Sequence, residues 1–412
     1  MDFSTFAFRS LLLFLGGCFL GGQINWGIYR LGWYRRRAIS PWSAADPQAP
    51  PRRWTDRLPV IGWLGLRRES ELHGSGFWIR PLLIELAMGI AAAGLYYAET
   101  HGRLLPQHPQ LPLAESSLLH AQFAAHLLLI TLMMVATFID LDEQTIPDAI
   151  TVPGVLLGLT LLTCLEGASP QTLYRSLMGP QMGLLKCTTT ASWPLWWSQI
   201  EGLQVGLACY AGWCLALWPK TLTLRRGWGK GIQYCLASMT RFPQVLFHLA
   251  LLLGGCGAIV WVWSLGDPYW PRLLNALCGM AFAGGMIWAV RIVAGSALGM
   301  QAMGFGDVTL MAMIGSFLGW QASVVVFGLS PFAAIFVSLL TLLAQGERRI
   351  AFGPYLCISA VALILYWDAL WENWAKPIFA SLGEWIPWLM LCCLALMWGL
   401  LAVMRFLREL RE

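Results

Sequence analysis

The stretch LLLITLMMVATFIDLDEQTIPDAITVPGVLLGLTLL (residues 127–162) contains two long apolar runs separated by a short acidic turn. Apolar runs of this length are typical of membrane-spanning helices. The first run ends at Asp140, and Pro147 punctuates the turn before the second run begins. The pattern therefore predicts two neighbouring membrane helices, near 120–140 and 149–165, that are joined at one membrane face.

The composition of the whole chain agrees with this stretch. Of its 412 residues, 57% are hydrophobic and only 12% are charged, whereas about 25% are charged in an average soluble domain. So few charges cannot cover the surface of a soluble protein of this size. We therefore predict an all-α polytopic protein of the inner (plasma) membrane, surrounded by the lipid bilayer and without a nucleic-acid partner.

About eleven crossings are expected from the apolar runs. We place them near 10–29, 81–97, 120–140, 149–165, 202–219, 243–265, 273–295, 307–328, 331–345, 354–368 and 385–405. Between the eighth and ninth crossings, Ser330-Pro331 must form a tight turn.

Basic residues cluster in alternate loops, and the positive-inside rule uses such clusters to orient a chain. Ten arginines lie within 30–80, and the acid-free loop 220–242 carries five basic residues. Arg348 and Arg349 lie between the ninth and tenth crossings, and three arginines follow the last. We predict an outside N-terminus and a cytoplasmic C-terminus, because this orientation makes all these segments cytoplasmic.

Two acids lie beside apolar spans, where a charge is costly and calls for an explanation. Asp140 ends the third crossing and Asp307 opens the eighth, so the orientation places both at the cytoplasmic face. Gly304 and Gly306 leave room for a tight turn and a close chain neighbour beside Asp307.

Two carboxyl groups brought close together can share one proton, because like charges resist joint ionisation. The protonated acid can then polarise a carbonyl while its ionised partner takes a proton from water, and this proteolysis needs no metal. Alternatively, both acids are ordinary helix caps at the interface. From the residues alone both interpretations stay open, and Asp142 and Glu143 are interpreted as solvated acids.

At these residues the chain resembles the prepilin peptidases, the type IV leader peptidases of the GxGD aspartic class. Four motifs occur in that family's order: Asn25-Trp26-Gly27-Ile28-Tyr29-Arg30-Leu31, then Ile139-Asp140 with Ile146-Pro147-Asp148, then Gly304-Phe305-Gly306-Asp307 with Gly315, Gly319 and Trp320, and finally Phe352-Gly353-Pro354-Tyr355-Leu356. The segments 58–64 and 81–86 are similar to sequences that flank the family's cytoplasmic domain.

The resemblance implies a membrane aspartic endopeptidase that cleaves short leaders from type IV prepilin or pseudopilin precursors. Asp140 and Asp307 would be its catalytic pair, with Gly304, Gly306, Pro147, Asp148 and Thr309 shaping the site. Proteolysis would need no cofactor. Many members also methylate the new N-terminus, so S-adenosylmethionine is expected only if that activity is retained.

Three features depart from the family pattern. The segment 31–80 has no cysteine, so the zinc that two CxxC pairs often bind in the family is not expected. Thr309 stands where a lysine is common. The third departure is residues 166–270, which resemble an insertion with two extra helices.

This insertion divides the chain into six parts. They are a first helix (1–30), a cytoplasmic loop domain (31–80), helices with the first aspartate motif (81–165), the insertion (166–270), helices with the GxGD motif (271–368) and an added C-terminal helix (369–412).

Other functions stay open at this point. A GxGD peptidase with another substrate is the nearest alternative. A transporter could use buried acids as ion sites, although both acids are expected at the same membrane face. A non-catalytic assembly protein would retain the fold without the chemistry.

Overall fold

Every regular element is helical in the computed structural model, which describes residues 3–33, 47–100, 116–166, 168, 195–218, 243–300, 303–343 and 351–410. Helices are what such an apolar chain requires, because a backbone in lipid must satisfy its polar groups within its own segment. The all-α fold class is confirmed, and the chain is a multi-pass membrane protein.

The described part of the chain contains ten longer helices. They are α1 (Phe3–Leu31), α2 (Ile79–Thr100), α3 (Ser116–Glu143), α4 (Asp148–Cys164), α5 (Ile200–Ala216), α6 (Pro243–Leu265), α7 (Tyr269–Leu298), α8 (Phe305–Leu343), α9 (Gly353–Leu365) and α10 (Ile386–Glu409). Short helices lie at Trp54–Arg57, Ile61–Leu66, Arg67–Glu69, Ser70–His73, Leu195–Ser198, Asp368–Ala375, Lys376–Leu382 and Gly383–Trp385.

The helices occupy the expected positions, but fewer of them meet a strict criterion for crossing. Within the described residues, seven are long and apolar enough, namely α1, α2, α3, α6, α7, α8 and α10. An eighth span results if α9 and the helical stretch 368–382, which meet at a bend of 86°, count as one. Helices α4 and α5 have 17 residues each. The count of eleven, the orientation and the six-part division stay predictions.

The prediction of a tight turn at Ser330-Pro331 is wrong, because α8 continues through both residues. The Ser330 hydroxyl donates to the carbonyl of Phe327 (2.8 Å) inside that helix. The break lies instead at Gly319, where φ is 82° and the backbone leaves the helical conformation. Proline is tolerated within a membrane helix because neighbouring groups can satisfy the freed carbonyl, whereas this positive φ favours glycine.

The close contact between α7 and α8 explains why glycine recurs in α8. A β-carbon on Gly315 would stand 2.4 Å from the Cβ of Ala283 and 2.4 Å from the carbonyl oxygen of Gly279. A β-carbon on Gly279 would in turn stand 2.9 Å from the Cα of Gly319. Small residues therefore let the two backbones touch, as is common between membrane helices.

The chain after α9 contains helical structure that the sequence did not predict. The π-helical segment Asp368–Ala375 leads directly into Lys376–Leu382 before α10 begins. Trp367 stacks on Trp371 with ring centroids 5.4 Å apart, and Phe379 contacts Trp320 of α8 at 5.9 Å. These aromatic contacts hold the segment against the helix that carries Asp307.

Glu85 of α2 joins the segment 47–78 to the membrane helices. Its buried carboxylate accepts hydrogen bonds from the Val60 amide (2.6 Å), the Trp63 indole (2.8 Å) and the Asn25 side chain (3.4 Å). Asn25 also donates to the carbonyl of Pro81 (3.0 Å). Three of the stretches that carry the family resemblance, around 25–31, 58–64 and 81–86, therefore meet at one carboxylate.

Much of the basic clustering used for the orientation lies outside the described residues. This applies to the loop 220–242, to Arg348 and Arg349, and to Arg35, Arg36 and Arg37. Most of the outer loop 166–200 lies outside them as well.

Candidate active site

Asp140 lies in the last turn of α3, and its side chain is buried, with 5% of the residue exposed. The helix ends just beyond it, where the Gln144 amide donates to the Asp140 carbonyl (2.9 Å) and Gln144 takes the left-handed conformation with φ of 54°. Pro147 then caps the start of α4. The turn between α3 and α4 is thus short and tightly defined.

Asp307 lies in the first turn of α8 and is also buried, with 8% of the residue exposed. A β-carbon on Gly304 would stand 3.6 Å from its carboxylate oxygen Oδ2, so the turn before the helix passes close to the acid. Asp307 interacts electrostatically with Asp140, and the buried Cys357 of α9 interacts with both. The structure therefore brings the two aspartates together among α3, α8 and α9.

Two glycines permit this convergence by making room for Ile146. A β-carbon on Gly306 would stand 2.8 Å from the Cβ of Ile146, and one on Gly353 would stand 2.8 Å from its Cδ1. The same β-carbon on Gly353 would stand 2.6 Å from Oδ2 of Asp140. Three separate motifs, around 140–148, 304–307 and 352–356, thus pack directly against one another.

One oxygen of Asp140 is left without a protein partner. Among the described residues, its buried Oδ2 accepts no hydrogen bond. A buried polar atom without a partner is costly, and it commonly marks a place where water or a ligand completes the bonding. This oxygen is therefore free to accept a hydrogen bond from water or from a substrate group.

The other expected site residues differ in how they relate to the pair. Thr309 is buried, and its hydroxyl donates to the carbonyl of Gly306 (3.0 Å), so it stabilises the turn that carries Asp307. Asp148 is exposed at the start of α4 and interacts with His248 of α6. A role for Asp148 in shaping the site stays a prediction.

Asp142 is exposed and Glu143 is half-buried, as expected for acids that meet solvent, but both also have partners within the chain. Both oxygens of Asp142 accept from Nη1 of Arg80 at 2.9 Å, and Glu143 accepts from the Trp33 amide at 2.6 Å. Trp33 lies just after α1, and Arg80 lies in the first turn of α2. Trp33 and Arg80 are therefore both fixed to the last turn of α3.

Arg291 of α7 is a further residue at the site that the sequence left unassigned. Its Nε donates to the carbonyl of Met303 (3.1 Å), and its guanidinium lies 5.5 Å from the ring centroid of Phe305. It also interacts electrostatically with Asp307. The sequence alone did not single it out, because its partners come from another helix.

The donor groups in the segment 47–78 do not fit the zinc site of the family. Asp56 pairs with Arg68, and Glu69 pairs with Arg52 (3.1 Å) and His73 (3.5 Å). The Arg68 guanidinium hydrogen-bonded to Asp56 lowers the pKa of that carboxyl. A structural zinc site needs about four thiolate or imidazole ligands, whereas these carboxylates already serve arginine partners.

Sequence comparison finds relatives that carry one printed name, "Prepilin leader peptidase/N-methyltransferase". The protein of that name from Aeromonas hydrophila is 32% identical over 168 residues, which cover 36% of this chain and 54% of the relative. The Pseudomonas putida protein is 29% identical over 141 residues, covering 33% and 48%. The Myxococcus xanthus protein is 25% identical over 279 residues, covering 64% and 76%.

These similarities confirm the resemblance to the prepilin peptidases and agree with a multi-pass protein of the inner membrane. The chain spans about half the length of the first curated relatives it matches. No protein-family model matches the chain. No solved structure matches it significantly.

Proposed function

We propose that this chain is a membrane aspartic endopeptidase that cleaves the leader peptides of type IV prepilin-like or pseudopilin precursors. Asp140 and Asp307 are its proposed catalytic pair. The observation that carries the proposal is the packing of Ile146, Gly306 and Gly353 around these acids. Packing this close, from three distant parts of the chain, is unnecessary for two independent helix caps.

The chemistry follows from two buried carboxyl groups that share one proton. The protonated acid donates a hydrogen bond to the oxygen of the scissile carbonyl. The ionised acid takes a proton from water, whose oxygen then bonds to the carbonyl carbon. As the carbon–nitrogen bond breaks, a proton from the pair passes to the leaving amine. Because the two acids act as a unit, neither role is assigned permanently.

The substrate class is supported by the resemblance and by the printed names of the relatives. Those names also include N-methyltransferase. Methylation of the new N-terminus would use S-adenosylmethionine as the methyl donor, and we include it as a second reaction to be measured. The finer choice between prepilin, pseudopilin and another short-leader substrate belongs to the same measurement.

The test uses the full chain, purified in lipid, and precursors of prepilins and pseudopilins. The isosteric variants Asp140→Asn and Asp307→Asn should each abolish release of the leader, while Asp368→Asn, which changes an exposed acid, should cleave normally. N-terminal sequencing of the product locates the cleavage site. Mass spectrometry of the product, made with and without S-adenosylmethionine, detects an added methyl group. Cleavage that persists in either catalytic variant would overturn the proposed pair.

A further inference from the structure

The two aspartates share a local arrangement that extends beyond their carboxyl groups. Each lies two residues after a phenylalanine, Phe138 before Asp140 and Phe305 before Asp307. Each phenylalanine ring is covered by an arginine from a neighbouring helix. The guanidinium of Arg80 lies 4.8 Å from the ring centroid of Phe138, and that of Arg291 lies 5.5 Å from the ring centroid of Phe305.

The spacing of two residues decides what the arginines can do. In a helix of 3.6 residues per turn, side chains two positions apart point in roughly opposite directions. Each arginine therefore contacts the turn through the phenylalanine rather than through the aspartate carboxylate, although the charge of Arg291 also acts on Asp307. It can fix the turn without occupying the space between the two carboxyl groups.

Arg80 holds the last turn of α3 at three points. It covers the ring of Phe138, it donates from Nη1 to both oxygens of Asp142 at 2.9 Å, and its Nη2 lies 3.4 Å from the Phe138 carbonyl. Phe138 and Asp142 are four residues apart and share one helix face, and Asp140 lies between them on the other. The contacts therefore hold one face of the turn that carries Asp140, opposite the aspartate side chain.

The backbone around Arg80 is itself held by hydrogen bonds. Arg80 precedes Pro81, whose carbonyl accepts from Asn25, and Glu85 one turn later accepts from the segment 47–78. Arg80 therefore projects from the same short stretch of α2 to which α1 and this segment are hydrogen-bonded.

Arg291 holds the turn before α8 in the same manner. Its Nε donates to the carbonyl of Met303 (3.1 Å) while its guanidinium covers the ring of Phe305. The ring of Trp288, also on α7, contacts Phe305 edge-on with ring centroids 6.2 Å apart. The turn 303–305 is thus fixed to α7 immediately before Asp307.

We propose that Arg80 and Arg291 are positioning residues, each of which sets the location of one aspartate through the phenylalanine two residues before it. The inference rests on the proposed function for its kinetic consequence. Its geometric consequence is independent of activity, since it concerns only how close residues 140 and 307 lie. Guanidinium planes stack on rings and donate several bonds at once, so lysine is a poor replacement at both positions.

The first experiment measures distance directly. In a cysteine-free background, Asp140→Cys and Asp307→Cys are combined and treated with a short bifunctional thiol reagent. Adding Arg80→Ala or Arg291→Ala should lower the cross-linking yield severalfold. Phe138→Leu and Phe305→Leu should do the same while leaving the arginines in place. Arg67→Ala is the matched control, because Arg67 covers the ring of Trp78 at 5.8 Å rather than a phenylalanine next to an aspartate motif.

The second experiment measures kinetics in the otherwise unchanged chain. Arg80→Ala and Arg291→Ala should each lower kcat by about 10- to 100-fold, the range expected for a misplaced catalytic group, with KM within about twofold. Arg80→Lys and Arg291→Lys should recover only a small part of kcat. Gel filtration establishes that each variant is folded before it is compared.

The outcomes separate the two proposals. Undiminished cross-linking in the arginine variants would overturn the positioning role, whatever happens to kcat. A loss of kcat with unchanged cross-linking would assign the arginines to substrate binding or chemistry instead. If Asp140→Asn still cleaves precursors while Arg80→Ala lowers cross-linking, the proposed function fails and the positioning inference stands.

Discussion

Gly353 lies so close to Asp140 that a β-carbon on Gly353 would stand 2.6 Å from the carboxylate oxygen Oδ2. Real β-carbons do not approach other heavy atoms this closely, so one of the two residues would have to move. The contact joins the start of α9 to the end of α3, although more than 200 residues separate them in the sequence.

Replacing this glycine should therefore affect catalysis directly. Gly353→Ala should lower kcat by about 100-fold, because a displacement of about 1 Å at a catalytic group has an effect of that order. The measurement is the initial rate of leader release by the full chain in lipid. Gly328→Ala provides the control, since a β-carbon there meets nothing within 4 Å. An equal loss of kcat in both variants would show that the contact between Gly353 and Asp140 does not determine the rate.

Removing the carboxylate of Glu85 should loosen the segment 47–78. In Glu85→Ala the Val60 amide and the Trp63 indole lose their acceptor, and an unsatisfied buried donor costs about 1–3 kcal/mol. The expected result is faster proteolysis between 47 and 78, measured on the purified chain. The exposed Glu71 offers a comparison, because Glu71→Ala removes an acid from the same segment without orphaning a buried donor. A proteolysis rate unchanged by Glu85→Ala would contradict this role.

The ion pair of Asp56 and Arg68 predicts a pH dependence for the same segment. The hydrogen bond from Arg68 lowers the pKa of Asp56 in the folded chain. The pair therefore contributes its full stability above the ordinary aspartate pKa of about 3.9. The contribution is lost as pH falls from there toward the lowered folded value.

Hydrogen exchange can test that dependence. Protection of the amides in 53–68, corrected for the intrinsic pH effect on exchange, should fall as the pH drops below about 4. Asp56→Asn should show weaker protection at neutral pH and little further change on acidification. Protection in the unmodified chain that stays constant through this range would rule out the linkage.

The glycine contact between α7 and α8 should be a stability determinant. Gly315→Ala places a β-carbon 2.4 Å from Ala283 Cβ, and overpacking of this kind costs about 1–3 kcal/mol. We expect a lower thermal unfolding midpoint in detergent. Gly285→Ala, on α7 with nothing within 4 Å of the added carbon, should leave the midpoint unchanged. An unchanged unfolding midpoint for Gly315→Ala would show that α7 and α8 can move apart without loss of stability.

The sequence predicted where helices lie much better than where the chain bends. The apolar run at 243–265 coincides with α6, because run length alone identifies a helix in lipid. Pro331 was a misleading signal, since a proline inside a membrane helix need not end it. The bend at Gly319 was not predictable, because it depends on contact with Gly279 of another helix.

The sequence predicted only part of the candidate site, because contacts between helices cannot be read from a single chain. Asp140 and Asp307 could be singled out because acids beside apolar runs are costly and because ordered motifs surround them. The pairing of Arg80 with Asp142, and of Arg291 with the turn at Met303, depends on which helices are neighbours. Single-sequence periodicity carries no information about that neighbourhood.

The bend at Gly319 also bears on how the protein meets the surrounding lipid. It leaves a first limb of α8 from Phe305 to Leu318, which at 1.5 Å per residue is only about 21 Å long. Helix α9, with 13 residues before its 86° bend, is about 20 Å long. Both fall short of a hydrocarbon layer of about 30 Å. Residues 307–319 and most of α9 are buried among other helices, so protein rather than lipid covers these short limbs, and the surrounding bilayer need not match their length.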